Sequence, residues 1–203
     1  MGLTLVGTAV THAGLYLAAV KDLLTAGFED RRLSVVCDAV YSQGVFGERS
    51  PVEPERTGVS PVNLQIISAS DLADKEIAVT DTVALRLHSP LRLLHDGRLS
   101  HRLDVSLFLR GLVRRISSLV SAYGAAEVAD DFSWLSLQSH NILLEDSCFR
   151  FVSSGRASIA GIMGEGVLSG NLVPFLPYLY LGELLHAGKG ASWGFGRYEV
   201  LRG

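Results

Sequence analysis

One segment constrains the fold of this chain more than any other. Between Asp104 and Tyr123 the apolar residues recur at spacings of three and four: Val105, Phe108, Leu109, Leu112, Ile116, Leu119, Val120 and Tyr123. This period predicts an amphipathic helix with Asp104 as its N-cap, and its other face carries Arg110 and Arg114 one turn apart. Such a helix must bury one face, so it requires a packed core around it.

The segments around this helix predict an α+β fold. Strand-like runs extend from 77 to about 94, broken at Ser89-Pro90, and recur at 132–144, 148–153 and 157–169. Asn171 is placed to cap a second helix, which has Pro174 in its first turn and ends near His186. A last strand is predicted at 197–201. The resulting order, β-α-β-β-α-β, is the ferredoxin-like arrangement.

The N-terminal part predicts a smaller unit. Residues 2–10 have the composition of a strand. Thr11 is placed to cap a helix that runs to about Thr25 and stops at Gly27, and residues 33–41 have the composition of a second strand. Glycine, proline and charged residues then dominate. We therefore predict a strand-helix-strand unit at 1–45, a linker or extended loop at 46–76, and the ferredoxin-like domain at 77–203.

Composition excludes several classes of protein. The N-terminus has no basic segment before its apolar residues, and no run of eighteen apolar residues exists, so neither a signal peptide nor a membrane span is predicted. Cys37 and Cys148 are predicted to be reduced core thiols, which favours a cytoplasmic protein. The net charge is −3, but seven arginines lie between residues 86 and 115 against Asp96 and Asp104. This uneven charge allows a local basic surface.

A glycine-dense segment precedes the last strand. In HAGKGASWGFGRYEV, residues 186–200, Gly188, Gly190, Gly194 and Gly196 are spaced G-x-G-x-x-x-G-x-G. Glycines allow close approach of a backbone to a ligand, and exposed N–H groups with Lys189 and Arg197 can hold phosphate. Trp193 and Phe195 are predicted either to stack on bases or, more in keeping with their size, to pack into the core. Neither a P-loop nor a dinucleotide fingerprint fits this spacing.

These residues resemble a known family. The segment PFLPYLYLGELLHAGKGASWGFGRYEV is similar to the C-terminal signature of the RAMP superfamily, and more narrowly to the CRISPR repeat-processing endoribonucleases, the Cas-six family. LHSPLRLL, the arginine-bearing helix FLRGLVRRISSLVSAYG and the opening GLTLVGTAV unit extend the resemblance over nearly the whole chain.

The resemblance implies tandem ferredoxin-like domains, RRM-like in fold, that bind CRISPR repeat RNA and cut it without a metal or other cofactor. The ribose 2′-hydroxyl attacks the adjacent phosphate, with a histidine as general base or acid. Expected partners are the repeat RNA and other CRISPR effector subunits, with no direct DNA or membrane contact. The residues expected to contact RNA are Gly188, Lys189, Gly190, Ser192, Gly194, Gly196, Arg197, Arg110 and Arg114.

Two departures from the family pattern concern catalysis. The resemblance implies a chain that begins halfway through the N-terminal domain, so the half that usually carries the catalytic histidine is expected to be missing or supplied by another polypeptide. WLSLQSHN, residues 134–141, lacks the arginines that many relatives have after this tryptophan. The catalytic residues are therefore unknown, with His140 and His186 as candidates, and no metal site is predicted.

Two alternatives to the endoribonuclease remain at this stage. One is a non-catalytic subunit that holds guide RNA in an effector complex, which the net charge of −3 favours. The other is a ferredoxin-like domain that never touches RNA, in which the glycines serve only as turn residues.

Overall fold

The computed structural model describes residues 2–26, 37–44, 48–52, 64–68, 81–124, 130–155 and 159–201. The chain forms two compact units, Met1–Lys75 and Glu76–Gly203. Among the described helices, none combines the length and the hydropathy that crossing a bilayer requires.

The N-terminal unit begins with a 3₁₀ helix, Gly7–His12, that leads directly into helix α1, Ala13–Ala26. A strand at 2–10 was therefore the wrong prediction. Gly7 adopts a φ of 60°, and the Thr11 hydroxyl donates to the Thr8 carbonyl, so this segment closes into turns and Thr11 is not an N-cap. The predicted stop at Gly27 lies outside the described residues.

A short antiparallel hairpin completes the described part of this unit. Strand β1, Tyr41–Gln43, pairs with strand β2, Arg49–Pro51. The predicted strand at 33–41 lies partly outside the described residues, and regular strand structure begins only at its last residue, Tyr41. Strand β2 falls within the segment predicted as a linker, most of which is not described.

The C-terminal unit contains the remaining elements. Its strands are β3 (Thr82–Leu87), β4 (Leu94–His95), β5 (Arg98–Leu99), β6 (Leu143–Glu145), β7 (Arg150–Ser153), β8 (Ala160–Met163), β9 (Glu165–Ser169) and β10 (Tyr198–Leu201). Its helices are α2 (Val105–Tyr123), α3 (Phe132–Gln138) and α4 (Leu176–Leu185). The predicted helix after Asp104 is confirmed with its cap, because the Asp104 carboxylate accepts the Leu107 N–H at 2.8 Å.

Four strands form one antiparallel sheet in the order β10-β3-β9-β6. Leu85 in the central strand pairs with Val200 on one side and Gly166 on the other. Once hairpins β4–β5 and β7–β8 and helix α3 are set aside, the elements follow the order β-α-β-β-α-β. The predicted α+β class is confirmed, and this unit has the ferredoxin-like order of strands and helices.

Alternate residues of the sheet face helices α2 and α4 and form the core. Leu85, Leu168, Phe108, Leu112 and Leu179 are each at most 1% exposed. Removal of this much apolar surface from water is the main stabilising contribution of the unit. The opposite face of the sheet is referred to below as the open face.

Two local predictions in this unit were wrong. Residues 132–144 do not form a strand: Asp131 accepts the Trp134 N–H and begins helix α3, which buries Leu135 before β6 starts at Leu143. Asn171 does not cap α4, because the chain first makes a 3₁₀ turn at Val173–Phe175. Both cysteines are free, as predicted, but exposed and outside the core.

Candidate nucleic-acid interface

Residues 186–197, referred to here as the glycine loop, connect α4 to β10. The loop begins where α4 ends: His186 has a φ of 61° and a ψ of 166°, and its N–H still donates to the Gly182 carbonyl. This backbone region is almost restricted to glycine, so His186 is held in a strained conformation. The loop also contains four glycines with φ between 63° and 87°.

The glycine loop is fixed to the segment that follows β3. Gly196 N–H donates to the Pro90 carbonyl at 3.0 Å, and Lys189 N–H donates to the Arg92 carbonyl at 2.8 Å. The Ser89 hydroxyl accepts the Arg197 N–H at 2.8 Å and donates to the Gly194 carbonyl at 2.7 Å. The backbone of the loop is therefore held in place by hydrogen bonds at both ends.

Two of the four loop glycines are required by contacts with the protein backbone, and a third is in tight contact with a side chain. A Cβ on Gly196 would lie 1.9 Å from the Ala187 carbonyl oxygen, and one on Gly188 would lie 2.7 Å from the Arg92 carbonyl oxygen. A Cβ on Gly190 would lie 3.1 Å from the Phe195 ring, whereas the space beside Gly194 is open. The close backbone approach that these glycines allow is thus mainly to the protein itself.

Most of the loop N–H groups are already used. Those of Lys189 and of residues 193–197 donate to other groups of the chain. The N–H groups of Gly188, Gly190 and Ser192 form no hydrogen bond with the described residues. Phosphate contacts would therefore come chiefly from side chains, with these three N–H groups in support.

The exposed side chains of the loop form a small basic surface. We define the loop surface as Lys189, Ser192, Trp193, Gly194 and Arg197, all of which are exposed. Neither cation forms an ion pair with any described residue. Trp193 does not pack into the core; it is 86% exposed. Phe195 is half-buried, with the Arg92 guanidinium 5.1 Å from its ring centroid.

Further positive charge lies beneath the loop surface. Arg115 of α2 donates from Nε and Nη2 to the Leu185 carbonyl at 3.1 and 2.9 Å and so caps α4. Burial lowers the pKa of His186, and the charges of Arg197 and Arg115 lower it further, against a hydrogen bond with the Ala191 backbone. The pKa of His186 is therefore below its ordinary value, with burial as the main cause and the two arginines adding to it.

A second group of polar residues surrounds Ser106, near the start of α2. The Ser106 hydroxyl lies 2.8 Å from the Ser139 hydroxyl and 3.4 Å from His140 Nε2, and the Ser106 carbonyl accepts from Arg110 Nε at 3.3 Å. We define Ser106, Ser139, His140 and Arg110 as the Ser106 cluster. Both serines are buried, and His140 is exposed.

The hydrogens of the Ser106 cluster can be assigned by elimination. The Ser139 hydroxyl donates to the Ser136 carbonyl at 2.7 Å, so the Ser106 hydroxyl must donate its only hydrogen to Ser139. The 3.4 Å contact between the Ser106 hydroxyl and His140 Nε2 is then a hydrogen bond in the tautomer that carries its proton on Nε2. In that tautomer Nδ1 of His140 is the proton acceptor.

The candidate residues thus fall into two groups. His186 and the predicted loop residues lie together, whereas Arg110 and His140 share the Ser106 cluster. No hydrogen bond or ion pair between described residues joins one group to the other. Arg114 is exposed on α2 without an ion pair to any described residue.

The open face of the sheet is a poor surface for RNA. Arg86 Nε lies 2.6 Å from Glu165 and its Nη1 3.4 Å from Glu199, and His88 Nε2 lies 2.9 Å from Glu199. Glu145 adds a third acid, and the strand residues on this face include no aromatic. RNA recognition on such a sheet relies on stacked aromatic side chains, and carboxylates repel phosphate.

Sequence reasoning missed the residues that hold the loop in place. Ser89 and Arg92 fix its backbone, and Arg115 caps the helix before it. The break at Ser89-Pro90 was visible in the sequence, but nothing there indicated which segment it would contact. Contacts of this kind join residues about 70 to 108 positions apart.

Comparison with known proteins identifies relatives of the chain. Residues 85–198 match the family model described as CRISPR-associated endoribonuclease Cas6. This range includes both the glycine loop and the Ser106 cluster. None of the proteins of curated function matches the sequence.

Solved structures share the fold at low sequence identity. The Cas6 (TTHA0078) product complex superposes with a TM-score of 0.52 and 19% identity, over 68% of this chain and 58% of that one. The Cas6 (TTHB231) product complex superposes with a TM-score of 0.53 and 18% identity, over 68% of this chain and 56% of that one. Thermus thermophilus Cas6 (TTHB231) superposes with a TM-score of 0.53 and 16% identity, over 75% of this chain and 66% of that one. The matched region spans less than two thirds of each of these proteins.

Proposed function

This chain belongs to the family of the CRISPR-associated endoribonuclease Cas6, and on that premise we propose that it binds CRISPR repeat RNA and cleaves it to guide RNA. The proteins in the two solved product complexes are both named Cas6. We extend to this chain the RNA-processing role that the family name states. The rest of the proposal depends on its own residues.

The observation that carries the proposal is the loop surface. It presents Lys189 and Arg197 without acidic partners among the described residues, on a backbone held by hydrogen bonds. Because the loop backbone is already ordered, only the two side chains lose conformational entropy when they contact phosphate. A loop with an ordered backbone and two cations that have no acidic partner among the described residues is suited to hold an RNA backbone in one register.

We assign RNA binding to the predicted domain at 77–203. Arg114, exposed on α2, extends the basic surface available to RNA. In this proposal residues 1–45 belong to the first of two tandem ferredoxin-like domains, and 46–76 connect them. The open face, with its paired arginine and its glutamates, takes no part in binding RNA.

The proposed reaction is a transesterification within the RNA strand. A general base removes the proton from a ribose 2′-hydroxyl, and the 2′-oxygen bonds to the adjacent phosphorus. The bond from phosphorus to the 5′-oxygen then breaks, and that oxygen receives a proton. The products are a 2′,3′-cyclic phosphate and a 5′-hydroxyl, and the step is proposed to need no metal.

Of the two candidate histidines, His140 is the better placed for this chemistry. Its ring is exposed, and the serines of the Ser106 cluster orient Nδ1 as an acceptor. Arg110, whose Nε donates to the Ser106 carbonyl, can stabilise the charge that develops on the phosphate. His186 is half-buried with a lowered pKa, so we assign it to RNA contact beside the loop.

A second candidate function is an RNA-binding subunit that does not cleave. The net charge of −3 and the absence of arginines from residues 134–141 favour it. The Ser106 cluster would then be structural, with the serine and histidine bonds serving only to anchor α3 to α2.

The experiment that tests the proposal is a combined binding and cleavage assay on CRISPR repeat RNA in EDTA. We expect binding that weakens as salt is raised, because phosphate contacts release counterions. We also expect one cut, with a cyclic phosphate at the new 3′ end. A substrate with deoxyribose at the cleaved position should bind but remain intact.

Two variants separate the candidate functions. His140→Ala should abolish cleavage and leave repeat binding within about twofold, whereas Lys189→Glu should weaken binding. Cleavage by His140→Ala at the wild-type rate would rule out the assignment of the base. Tight binding with no cleavage by any form would establish the non-catalytic subunit, and no binding even at low salt would refute both functions.

A further inference from the structure

Trp193 is exposed in a way that its size does not favour. It is 86% exposed, compared with 44% for Trp134, the other tryptophan of the chain. Tryptophan is highly buried on average in folded proteins, because its indole is among the largest apolar groups. An indole that is almost fully in water therefore calls for an explanation.

The backbone holds Trp193 in this position. Its N–H donates to the Gly190 carbonyl at 2.8 Å within a single 3₁₀ turn, and that turn is flanked by Gly190 and Gly194 in left-handed conformation. Gly194 is itself anchored through the Ser89 hydroxyl. The indole is thus carried on a rigid turn, and its exposure does not result from a loose loop.

The surroundings of Trp193 distinguish between possible ligands. Its neighbours in the loop surface are polar or small, and beyond the two residues adjacent to Gly194 no heavy atom of the described chain lies within 4 Å of the position of a Cβ on Gly194. A tryptophan that anchors a protein partner is normally surrounded by further contacts that exclude water. Here the flanking residues are instead two cations without acidic partners among the described residues, Lys189 and Arg197.

We propose that Trp193 is a stacking platform for one unpaired base of the bound RNA. The inference rests on the proposed function and adds a residue and a substrate feature to it. Lys189 and Arg197 contact phosphates on either side, and the base between them turns onto the indole. The RNA must therefore present an unstacked nucleotide to the glycine loop, since a base within a paired stem has no free face.

The chain permits a direct optical test. Replacing Trp134 by Phe leaves Trp193 as the only tryptophan. We expect repeat RNA to quench the fluorescence of this variant along the same curve as binding measured independently. The Trp134→Phe substitution lies on α3, outside the loop, and should leave affinity unchanged.

Affinity measurements on the full chain provide the second readout. Loss of one stacked base costs about 1–3 kcal/mol of binding free energy, which corresponds to a roughly 5- to 150-fold weaker affinity. Trp193→Ala should weaken binding within that range without changing its dependence on salt, and Trp193→Phe should restore most of it. Lys189→Gln should instead reduce the slope of log affinity against log salt by about 0.7.

Abasic substitutions in the RNA identify the stacked nucleotide. At one position the abasic RNA should bind wild type and Trp193→Ala equally, because the partner of the indole is already absent. RNA that binds without quenching, with unchanged affinity for Trp193→Ala, overturns the inference and leaves the proposed function intact. If RNA fails to bind even at low salt, the proposed function and this inference both fail.

Discussion

Exposed arginines occur in two different settings in the C-terminal unit. Arg86, on the open face, lies within hydrogen-bonding distance of Glu165, and Glu199 lies nearby. Arg197, in the loop surface, has its backbone held by Ser89 and its side chain unpaired among the described residues. A neutralised charge attracts phosphate weakly, so the number of arginines in a region says less about RNA binding than their partners do.

The first prediction concerns the scaffold that presents Arg197. Gly196→Ala places a Cβ 1.9 Å from a backbone oxygen at a φ of 63°, and we expect it to lower the free energy of unfolding by about 3 kcal/mol or more. Gly194→Ala, at a φ of 87° with open space around it, should cost only about 1 kcal/mol. Chemical denaturation measures both; equal losses would mean that the loop is not packed as described.

The second prediction tests the two arginines directly. Arg197→Gln should weaken repeat RNA binding by about tenfold and reduce its salt dependence, as expected for loss of one phosphate contact. Arg86→Gln should change affinity by less than about twofold, because its charge is already compensated. Titrations at two salt concentrations suffice, and an equal loss for both variants would contradict the distinction between the two surfaces.

The third prediction addresses the strain at the start of the glycine loop. His186→Gly should be more stable than His186→Ala by about 1 kcal/mol, because only glycine adopts its backbone angles without cost. The comparison removes the side chain in both variants, so the loss of its packing cancels. Thermal unfolding of the pair measures the difference, and greater stability of the alanine variant would argue against a strained residue here.

The smallest predicted effect is a pH dependence of stability. Burial and the nearby arginines lower the pKa of His186 in the folded protein below the ordinary 6.5. As the pH falls, the unfolded chain therefore binds a proton at His186 before the folded protein does. The contribution of the neutral His186 to the free energy of unfolding is complete above pH 6.5 and decreases as the pH falls below it. His186→Gln should flatten this part of the stability curve. An unchanged slope would mean that burial and the nearby arginines do not lower the pKa of His186 in the folded protein.

An element was predicted correctly from the sequence when its hydrophobic pattern was long. Helix α2 was predicted with its cap because nineteen residues repeat one period and an aspartate precedes them. Helix α3 was mistaken for a strand because seven residues contain too few turns to show a period. The 3₁₀ helix at Gly7–His12 was missed for a similar reason: an apolar run favours a strand until its glycine and threonine close it into turns.

The candidate site was predictable in its residues but not in its arrangement. Spacing alone located the glycine loop. That Lys189 and Arg197 have no ion-pair partner among the described residues followed only from the structure. The sequence left two positions open for Trp193, stacked on a base or packed into the core, and the size of its side chain favoured the core. Its exposure depends on a turn held by Ser89, far away along the chain.

The sequence by itself determined the class of fold, the glycine loop between the last helix and the last strand, and the resemblance to a family. These features are local or periodic, and each is set by neighbours within a few residues. The tertiary structure decided which cations have acidic partners among the described residues, which glycines lie against other atoms of the chain, and which serines lie beside His140. Those properties arise from contacts between distant segments, because a charge, a Cβ or a hydroxyl acquires its role from the atoms that folding places beside it.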